Sequence, residues 1–386
     1  MNLSDKENKQ KMDGSDHDEK RGLILDGTKV HWHKKRVDAW LRGERIAPIT
    51  IDMALTRACN FNCEFCYGKL QENPRKKITK EVGFRFLDDA AEIGVKGVSL
   101  ISDGESSVSP IFPDFIEYGS KKGLSMAMAS NGYLTTKDKL ERILKHLTYF
   151  RFNISAGEPR RFSQIMGVPE PYFHQVCQNI KDAVEIKNKY NLDVTIGMQM
   201  VLKPEYADQI MPLAELGLKL KPDYLVIKHT SDDEKGSLGV DYSKYEQLHG
   251  LLKEAEALST DDYTVKVKWS KIQDGDKRTY SRCFGPPFLI QLSGSGLVAP
   301  CGMFFGEEYK KYWIGNIVDT SFKEIWQSDR YWEVMDHIAS PEFDAKTLCG
   351  CLCIQHKVND FLWQVKSNQI ELSEPAGPAP QHLNFI

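Results

Sequence analysis

Short apolar or β-branched runs alternate with amphipathic stretches six times between residues 51 and 258, and this alternation restricts the fold more than any other feature. The runs predict strands at 51–55, 97–102, 125–131, 150–155, 194–202 and 224–229. The stretches between them predict helices at 79–93, 112–122, 136–146, 173–190, 205–216 and 242–258. Six such repeats predict a parallel sheet, open or curled, whose ligand site lies at the carboxyl ends of the strands.

Three cysteines follow directly on the first predicted strand. Cys59, Cys63 and Cys66 form a C-x3-C-x2-C run in the stretch ACNFNCEFCYGKL. Three thiolates this close in sequence can hold three corners of a cubane iron–sulfur cluster and leave one iron open for a substrate. The alternatives are three unconnected buried cysteines or a zinc site. A zinc site would require a fourth Cys or His ligand, and the loop contains none.

The three-cysteine run, with the aromatic Phe65 before its last cysteine, resembles the signature of the radical S-adenosylmethionine (radical SAM) superfamily. The strand–helix repeat extends this resemblance over about residues 50–260. The resemblance implies an α/β fold with a partial (β/α)6 TIM-like barrel, and a [4Fe-4S] cluster whose open iron chelates the amino and carboxylate groups of SAM. It further implies an external electron donor of the flavodoxin or ferredoxin type. SAM would be cleaved to a 5′-deoxyadenosyl radical that abstracts hydrogen from the substrate.

Residues at the ends of the predicted strands match the SAM-binding pattern of that superfamily. Asp103-Gly104-Glu105 stands where the superfamily usually has Gly-Gly-Glu, so Gly104 and Glu105 match and Asp103 departs. Glu105 is expected to accept a hydrogen bond from the methionine ammonium, and Gly104 permits a close backbone approach. Further candidates for the carboxylate and ribose of SAM, all of which could equally cap helices, are Ser130, Asn131, Asn153 and Ser155.

Five more cysteines lie in the last third of the chain. Cys283 and Cys301 frame the stretch CFGPPFLIQLSGSGLVAPC, which predicts a hairpin with one ligand at each end. This stretch looks like the auxiliary-cluster domain of the twitch and SPASM subfamilies, in which C-x9–15-G-x4-C opens the hairpin. The candidate ligands are Cys283, Cys301, Cys349, Cys351 and Cys353. One cubane needs at most four, so we expect a second, auxiliary [4Fe-4S] cluster and one spare thiol, with a zinc knuckle as the alternative.

Composition divides the chain into five parts. Residues 1–20 are too polar to form a core and are expected to be a disordered tail, followed by a lead-in at 21–50. The radical SAM core is expected at 51–260, and the small cysteine-rich SPASM- or twitch-like domain at 261–370. The tail at 371–386 is interrupted by Pro and Gly, so it cannot be a helix, and its apolar end either docks or frays.

Charge and hydropathy exclude several classes of partner. With 51 basic and 54 acidic residues the net charge is −3, so no broad positive field exists to hold nucleic acid or an anionic membrane. No apolar run reaches the ~18–20 residues of a membrane span, and the polar start lacks the apolar core expected of a signal peptide. We therefore expect a cytoplasmic protein whose nine cysteines serve metal or redox chemistry rather than disulfides.

The substrate is the least constrained part of this interpretation. Four basic residues at predicted strand ends could hold a phosphate, carboxylate or sugar hydroxyl, or could be solvated charges: Arg160, Arg161, Lys228 and His229. Because the stretch before Cys59 is short, we expect neither a peptide-recognition domain nor a cobalamin domain there. We therefore expect oxidation or epimerisation of a small molecule such as a sugar or nucleotide sugar. The alternatives are peptide or protein modification, and a non-enzymatic iron–sulfur or zinc protein.

Overall fold

The computed structural model describes residues 28–274, 277–350 and 353–386. Ten strands in these ranges form one sheet in the order β10-β9-β8-β1-β2-β3-β4-β5-β6-β7. They are β1 (Thr50–Met53), β2 (Gly97–Leu100), β3 (Ser125–Ser130), β4 (Leu147–Asn153), β5 (Thr195–Leu202), β6 (Tyr224–His229), β7 (Thr264–Val267), β8 (Leu289–Leu292), β9 (Leu297–Ala299) and β10 (Gly315–Asn316). Strands β8 and β1 to β7 pair in parallel, whereas β9 and β10 are antiparallel.

Thirteen α-helices accompany the sheet in the same ranges. They are α1 (Lys34–Leu41), α2 (Lys80–Ile93), α3 (Phe112–Lys121), α4 (Lys137–Ile143), α5 (Pro159–Met166), α6 (Pro171–Tyr190), α7 (Ile210–Leu220), α8 (His249–Glu256), α9 (Trp269–Asp274), α10 (Phe322–Gln327), α11 (Asp329–Ala339), α12 (Ala345–Leu348) and α13 (His356–Lys366). None of the helices described is both long and apolar enough to cross a membrane.

Helix α2 shows how local sequence sets these elements. Thr79 caps its first turn by accepting a hydrogen bond from the Val82 amide, and Gly94 ends it at a φ of 98°. Between these ends, Phe86, Leu87 and Ala90 face the core because they recur at helical spacing. The spacing of apolar residues alone was sufficient to predict this helix.

The predicted α/β fold with a parallel sheet is confirmed, and all six predicted strands overlap β1 to β6. Side chains from β1, β4, β5, β6 and β8 line one common cavity, which is possible only because the sheet curls into a partial barrel. The sheet nevertheless extends beyond six repeats, because β7 and β8 add to its two ends. The domain boundary predicted at residue 260 therefore falls within the sheet. Both added strands are only four residues long, which leaves little pattern to detect.

The C-terminal segment docks at the amino end of the sheet instead of fraying. The Thr50 hydroxyl donates to the Asn384 carbonyl at 2.7 Å and accepts from the Ile386 amide at 3.2 Å. The Phe385 ring packs edge-on against Tyr149, with centroids 5.2 Å apart, and is 7% exposed. This segment therefore closes the end of the barrel opposite the cysteine loop.

Phe385→Ala is expected to lower the free energy of unfolding by about 3 kcal/mol, because it empties a buried aromatic site. Urea unfolding followed by circular dichroism measures this change in the free energy of unfolding. The matched control is Tyr190→Ala at the end of α6, where the ring is 52% exposed. We expect the control to change the stability by less than about 0.5 kcal/mol. Equal effects of the two substitutions would mean that the tail is not docked.

Candidate active site

The three cysteines of the first run surround one pocket at the carboxyl end of the sheet. Cys59, Cys63 and Cys66 lie in the loop after β1 and line a cavity of about 330 Å³. Burial raises the pKa of the Cys63 thiol, and the neighbouring Cys66 and Cys59 raise it further. Thiols in such surroundings ionise readily only when a positive charge offsets their burial, which bound iron provides. The donor set therefore fits a cluster, and we call this cavity the cysteine-loop pocket.

Gly104 and Glu105 bring the end of β2 against the cysteine loop. Gly104 adopts a φ of +109°, and a Cβ at this position would overlap the carbonyl oxygen of Thr56. The Glu105 carboxylate accepts hydrogen bonds from the Ser130 hydroxyl at 2.9 Å and from the Asn131 amide at 2.7 Å. Gly104 and Glu105 both line the cysteine-loop pocket. Through its two hydrogen bonds, Glu105 also holds the ends of β2 and β3 together.

The other predicted SAM-contacting residues divide into two pairs. Asn131 and Asn153 line the cysteine-loop pocket, where Asn131 donates to Asn60 at 2.8 Å and Asn153 accepts from Gln199 at 2.9 Å. Ser130 and Ser155 are fully buried and do not line it. Ser130 donates to Glu105, and the Ser155 hydroxyl accepts from the Val201 amide at 3.1 Å. The two serines thus support the strand ends, and their contact with SAM stays a prediction.

Asp103, which departs from the Gly-Gly-Glu pattern, has a role that the sequence did not reveal. Its side chain is 4% exposed and accepts hydrogen bonds from the Ser293 hydroxyl at 2.6 Å and the Gly294 amide at 2.7 Å. Arg57 of the cysteine loop approaches the same carboxylate at 3.3 Å. Asp103 therefore joins the cysteine loop to the β8–β9 hairpin. The one sign of this role in the sequence was an acidic residue beside a predicted loop, at a position where the superfamily usually has glycine.

Four of the five C-terminal cysteines meet in a second pocket. Cys283 precedes β8, Cys301 follows β9, Cys349 follows α12 and Cys353 precedes α13, and all four line one small apolar cavity. The hairpin predicted between Cys283 and Cys301 is present as β8 and β9. Cys351 lies outside the described residues. We call this cavity the four-cysteine pocket.

The chemistry of the four-cysteine pocket suits a metal cluster. Burial and the neighbouring Cys353 raise the pKa of Cys301 to about 12. No three His, Cys, Asp or Glu side chains within residues 28–274, 277–350 and 353–386 are grouped tightly enough to hold a single metal ion. Four thiol donors fit a cubane cluster as well as they fit a zinc ion.

The two cysteine centres are in direct structural contact. Gln71, just after the cysteine loop, donates to the carbonyl of Gly302, the residue next to Cys301. Beyond the second centre, the Tyr280 hydroxyl lies 3.7 Å from Cys353 Sγ and 2.9 Å from His356 Nδ1. The remaining cysteine, Cys177, packs on α6 against the core, as expected for a small buried hydrophobic residue.

The basic residues predicted on the ligand face mostly lie elsewhere. Arg161 pairs with Asp208 at 2.7 Å, and Arg160 is exposed. His229 is 1% exposed, and burial lowers its pKa to about 3, so it is a neutral core residue bonded to the Thr230 carbonyl. Only Lys228 faces the interior of the barrel.

The fold and the two cysteine centres place the chain among iron–sulfur enzymes built on a partial barrel. Residues 53–216 match the radical SAM superfamily, and residues 283–353 match the SPASM iron-sulfur cluster-binding domain. The chain belongs to the radical SAM superfamily and carries a C-terminal SPASM-like domain. These domains bind a [4Fe-4S] cluster with SAM and auxiliary iron–sulfur clusters, respectively, and such enzymes need an electron donor.

Several known proteins are similar to this chain over most of its length. The AdoMet-dependent heme synthase of Methanosarcina barkeri is 24% identical, over 81% of this chain and 90% of its own. The subtilosin biosynthesis protein AlbA of Bacillus subtilis is 23% identical, over 84% of this chain and 72% of its own. Streptococcus suis SuiB bound to its precursor peptide SuiA shares the fold, with a TM-score of 0.61 and 15% identity over 82% of this chain and 74% of its own.

Proposed function

We propose that this radical SAM enzyme modifies a peptide or protein substrate by abstracting a hydrogen atom from it. The supporting observation is similarity to two Bacillus subtilis proteins, one named for biosynthesis of the bacteriocin subtilosin and one for maturation of the sporulation killing factor. The subtilosin biosynthesis protein matches over 84% of this chain, and the sporulation killing factor maturation protein SkfB over 86%. Both matches are long enough to include the radical SAM and SPASM-like domains.

We assign Cys59, Cys63 and Cys66 as ligands of the catalytic cluster. When bound, the cluster and SAM supply a 5′-deoxyadenosyl radical that removes hydrogen from the substrate. Asn131 and Asn153 provide amide groups to the wall of the cysteine-loop pocket, where they can orient the polar groups of SAM. The Glu105 carboxylate keeps a lone pair available for an ammonium donor, since its Oε2 accepts only from the Asn131 amide within the described chain.

A small-molecule substrate, oxidised or epimerised, is the second candidate. It is supported by the heme synthase of Methanosarcina barkeri and by the cofactor-modifying protein of the Pyrococcus furiosus tungsten oxidoreductase, which matches over 72% of this chain. The cavity inside the barrel holds only about 170 Å³, which suits one side chain or one small molecule equally well.

A fractionation experiment separates these candidates. The anaerobically reconstituted enzyme is reduced in the presence of SAM and of extract from host cells grown on deuterated medium. The extract is first divided by a filter that retains polypeptides. If the substrate is a peptide or protein, the retained fraction should increase 5′-deoxyadenosine formation and transfer deuterium into that product. Protease treatment of this fraction should remove both effects. Activity confined to the filtrate would overturn the proposal in favour of the second candidate.

Cys301→Ala is expected to remove the auxiliary cluster while leaving the catalytic cluster in place. Iron should fall from about eight to about four atoms per chain. Formation of 5′-deoxyadenosine should persist, whereas deuterium transfer from substrate should fall by more than about tenfold. Cys177→Ala is the matched control, and it should change neither quantity because that thiol lies on α6 away from both centres. Unchanged iron in the Cys301 variant would contradict the assignment.

A further inference from the structure

The interior of the barrel contains a strongly basic cavity separate from both cysteine pockets. Its volume is about 170 Å³, and its described lining includes six Lys or Arg side chains but only one acidic side chain, that of Asp52, beside the terminal residue Ile386. The six cationic residues are Lys29, Arg151, Lys228, Lys268, Lys271 and Lys357. The whole chain has a net charge of −3, so this concentration of positive charge is local. We call it the basic cavity.

Three of these cationic residues lack a carboxylate at ion-pair distance in the described chain, although Arg151 still attracts the more distant Asp52. In the part of the chain that the structure describes, Arg151, Lys228 and Lys268 form no ion pair, and the buried Nε of Arg151 has no hydrogen-bond partner. Burial, together with the nearby charges of Lys271 and Arg151, lowers the pKa of Lys228 to about 7. Burial and the same neighbours lower the pKa of Lys268. Their lowered pKa values favour the neutral amines, and an anion beside them would stabilise the charged ammonium forms.

The basic cavity adjoins both cysteine pockets. Lys228 pairs in register with Val201, whose side chain lines the cysteine-loop pocket. Gln199 of the basic cavity donates to Asn153 of the cysteine-loop pocket at 2.9 Å. On the opposite side, Ile354 lines both the basic cavity and the four-cysteine pocket. The basic cavity is also lined by Phe385 and Ile386 of the docked C-terminal segment, so it extends from that end of the barrel towards the cysteine-loop pocket.

We propose that the basic cavity binds a carboxylate or phosphate group of the substrate, with Arg151, Lys228 and Lys268 as its ligands. The planar Arg151 guanidinium can hold two oxygens of the anion, and the two ammonium groups contribute further donors. This inference rests on the proposed function, because that function is what identifies the bound molecule as the substrate. It narrows the substrate to one that carries an acidic group.

Isothermal titration of the reconstituted, SAM-bound enzyme tests this assignment without any turnover. The probes are inorganic phosphate and succinate, with sodium chloride at equal ionic strength and neutral succinamide as references. We expect phosphate or succinate to bind more tightly than both references, and the tighter of the two identifies the acidic group. Arg151→Met and Lys228→Met should each weaken that binding at least tenfold. Lys145→Met, which removes an exposed lysine near the end of α4, should leave it unchanged.

Folding is monitored in the same samples by iron content and melting temperature. Lys228→Met should melt no lower than the wild type, because it removes a charge that no carboxylate of the described chain neutralises. The assignment is overturned if neither probe binds more tightly than chloride, or if the folded Met variants bind as the wild type does. Failure of SAM cleavage in the wild type would instead contradict the proposed function and leave the anion titration intact.

Discussion

Cys63→Ala is expected to abolish 5′-deoxyadenosine formation, with a loss of at least about a thousandfold, equivalent to ~4 kcal/mol of activation free energy. Cys63 is the middle ligand of the C-x3-C-x2-C run and lines the cysteine-loop pocket with Cys59 and Cys66. Two remaining thiolates cannot hold three corners of a cubane, so the catalytic cluster should be lost altogether. The measurements are iron content after anaerobic reconstitution and 5′-deoxyadenosine after reduction with SAM.

Two control variants make the Cys63 experiment specific. Cys177→Ala removes a partly buried thiol from α6 and should retain both iron and SAM cleavage. Cys301→Ala should lose about as much iron as Cys63→Ala but keep cleavage. Equal loss of cleavage in the Cys63 and Cys301 variants would mean that the two cysteine centres do not function separately. Retained cleavage in Cys63→Ala would place the catalytic cluster elsewhere in the chain.

The features that sequence predicts well here are local ones. The three cysteines of the first run lie within eight residues, so a loop of any shape keeps them near one another. The hairpin that carries Cys283 and Cys301 is likewise defined by one short stretch with Gly296 at its turn, where φ is +83°. Both predictions depend on spacing alone, and folding of the remaining chain cannot change that spacing.

The basic cavity shows why other features were out of reach. Arg151, Lys228 and Lys268 come from β4, the end of β6 and the residue after β7, and only strand register turns all three towards the barrel interior. A shift of register by one residue would reverse the direction of each side chain. The neighbouring His229 illustrates this, since it follows Lys228 directly and points into the core. Lys228 and His229 were both predicted on the ligand face, because the sequence does not show which of two neighbouring side chains points into the barrel.

Asp103 was also beyond sequence reasoning, because its partners are far away in the chain. Ser293 and Gly294 lie at the turn of the β8–β9 hairpin, about 190 residues beyond Asp103. The same turn approaches the cysteine loop so closely that a Cβ on Gly294 would overlap the backbone of Thr56. Thr56 is thus held between Gly104 on one side and Gly294 on the other. The carboxylate satisfies the polar groups that this close contact buries.

Asp103→Ala is therefore expected to lower the free energy of unfolding by about 3–5 kcal/mol, since it leaves Arg57 without its counter-charge and the Gly294 amide without an acceptor. Urea unfolding of the reconstituted protein measures the loss. The matched control is Asp319→Ala, whose carboxylate is 53% exposed and pairs with Lys76. Its removal should cost less than about 1 kcal/mol.

The Asp103 substitution also reports on the coupling between the domains. Because Asp103 joins the loop of Cys59, Cys63 and Cys66 to the hairpin of Cys283 and Cys301, its loss should loosen both cysteine centres together. Iron content in Asp103→Ala should then fall below that of either single cysteine variant. If Asp103→Ala instead unfolds like the Asp319 control and keeps all its iron, the hairpin is held to the barrel by its apolar contacts alone.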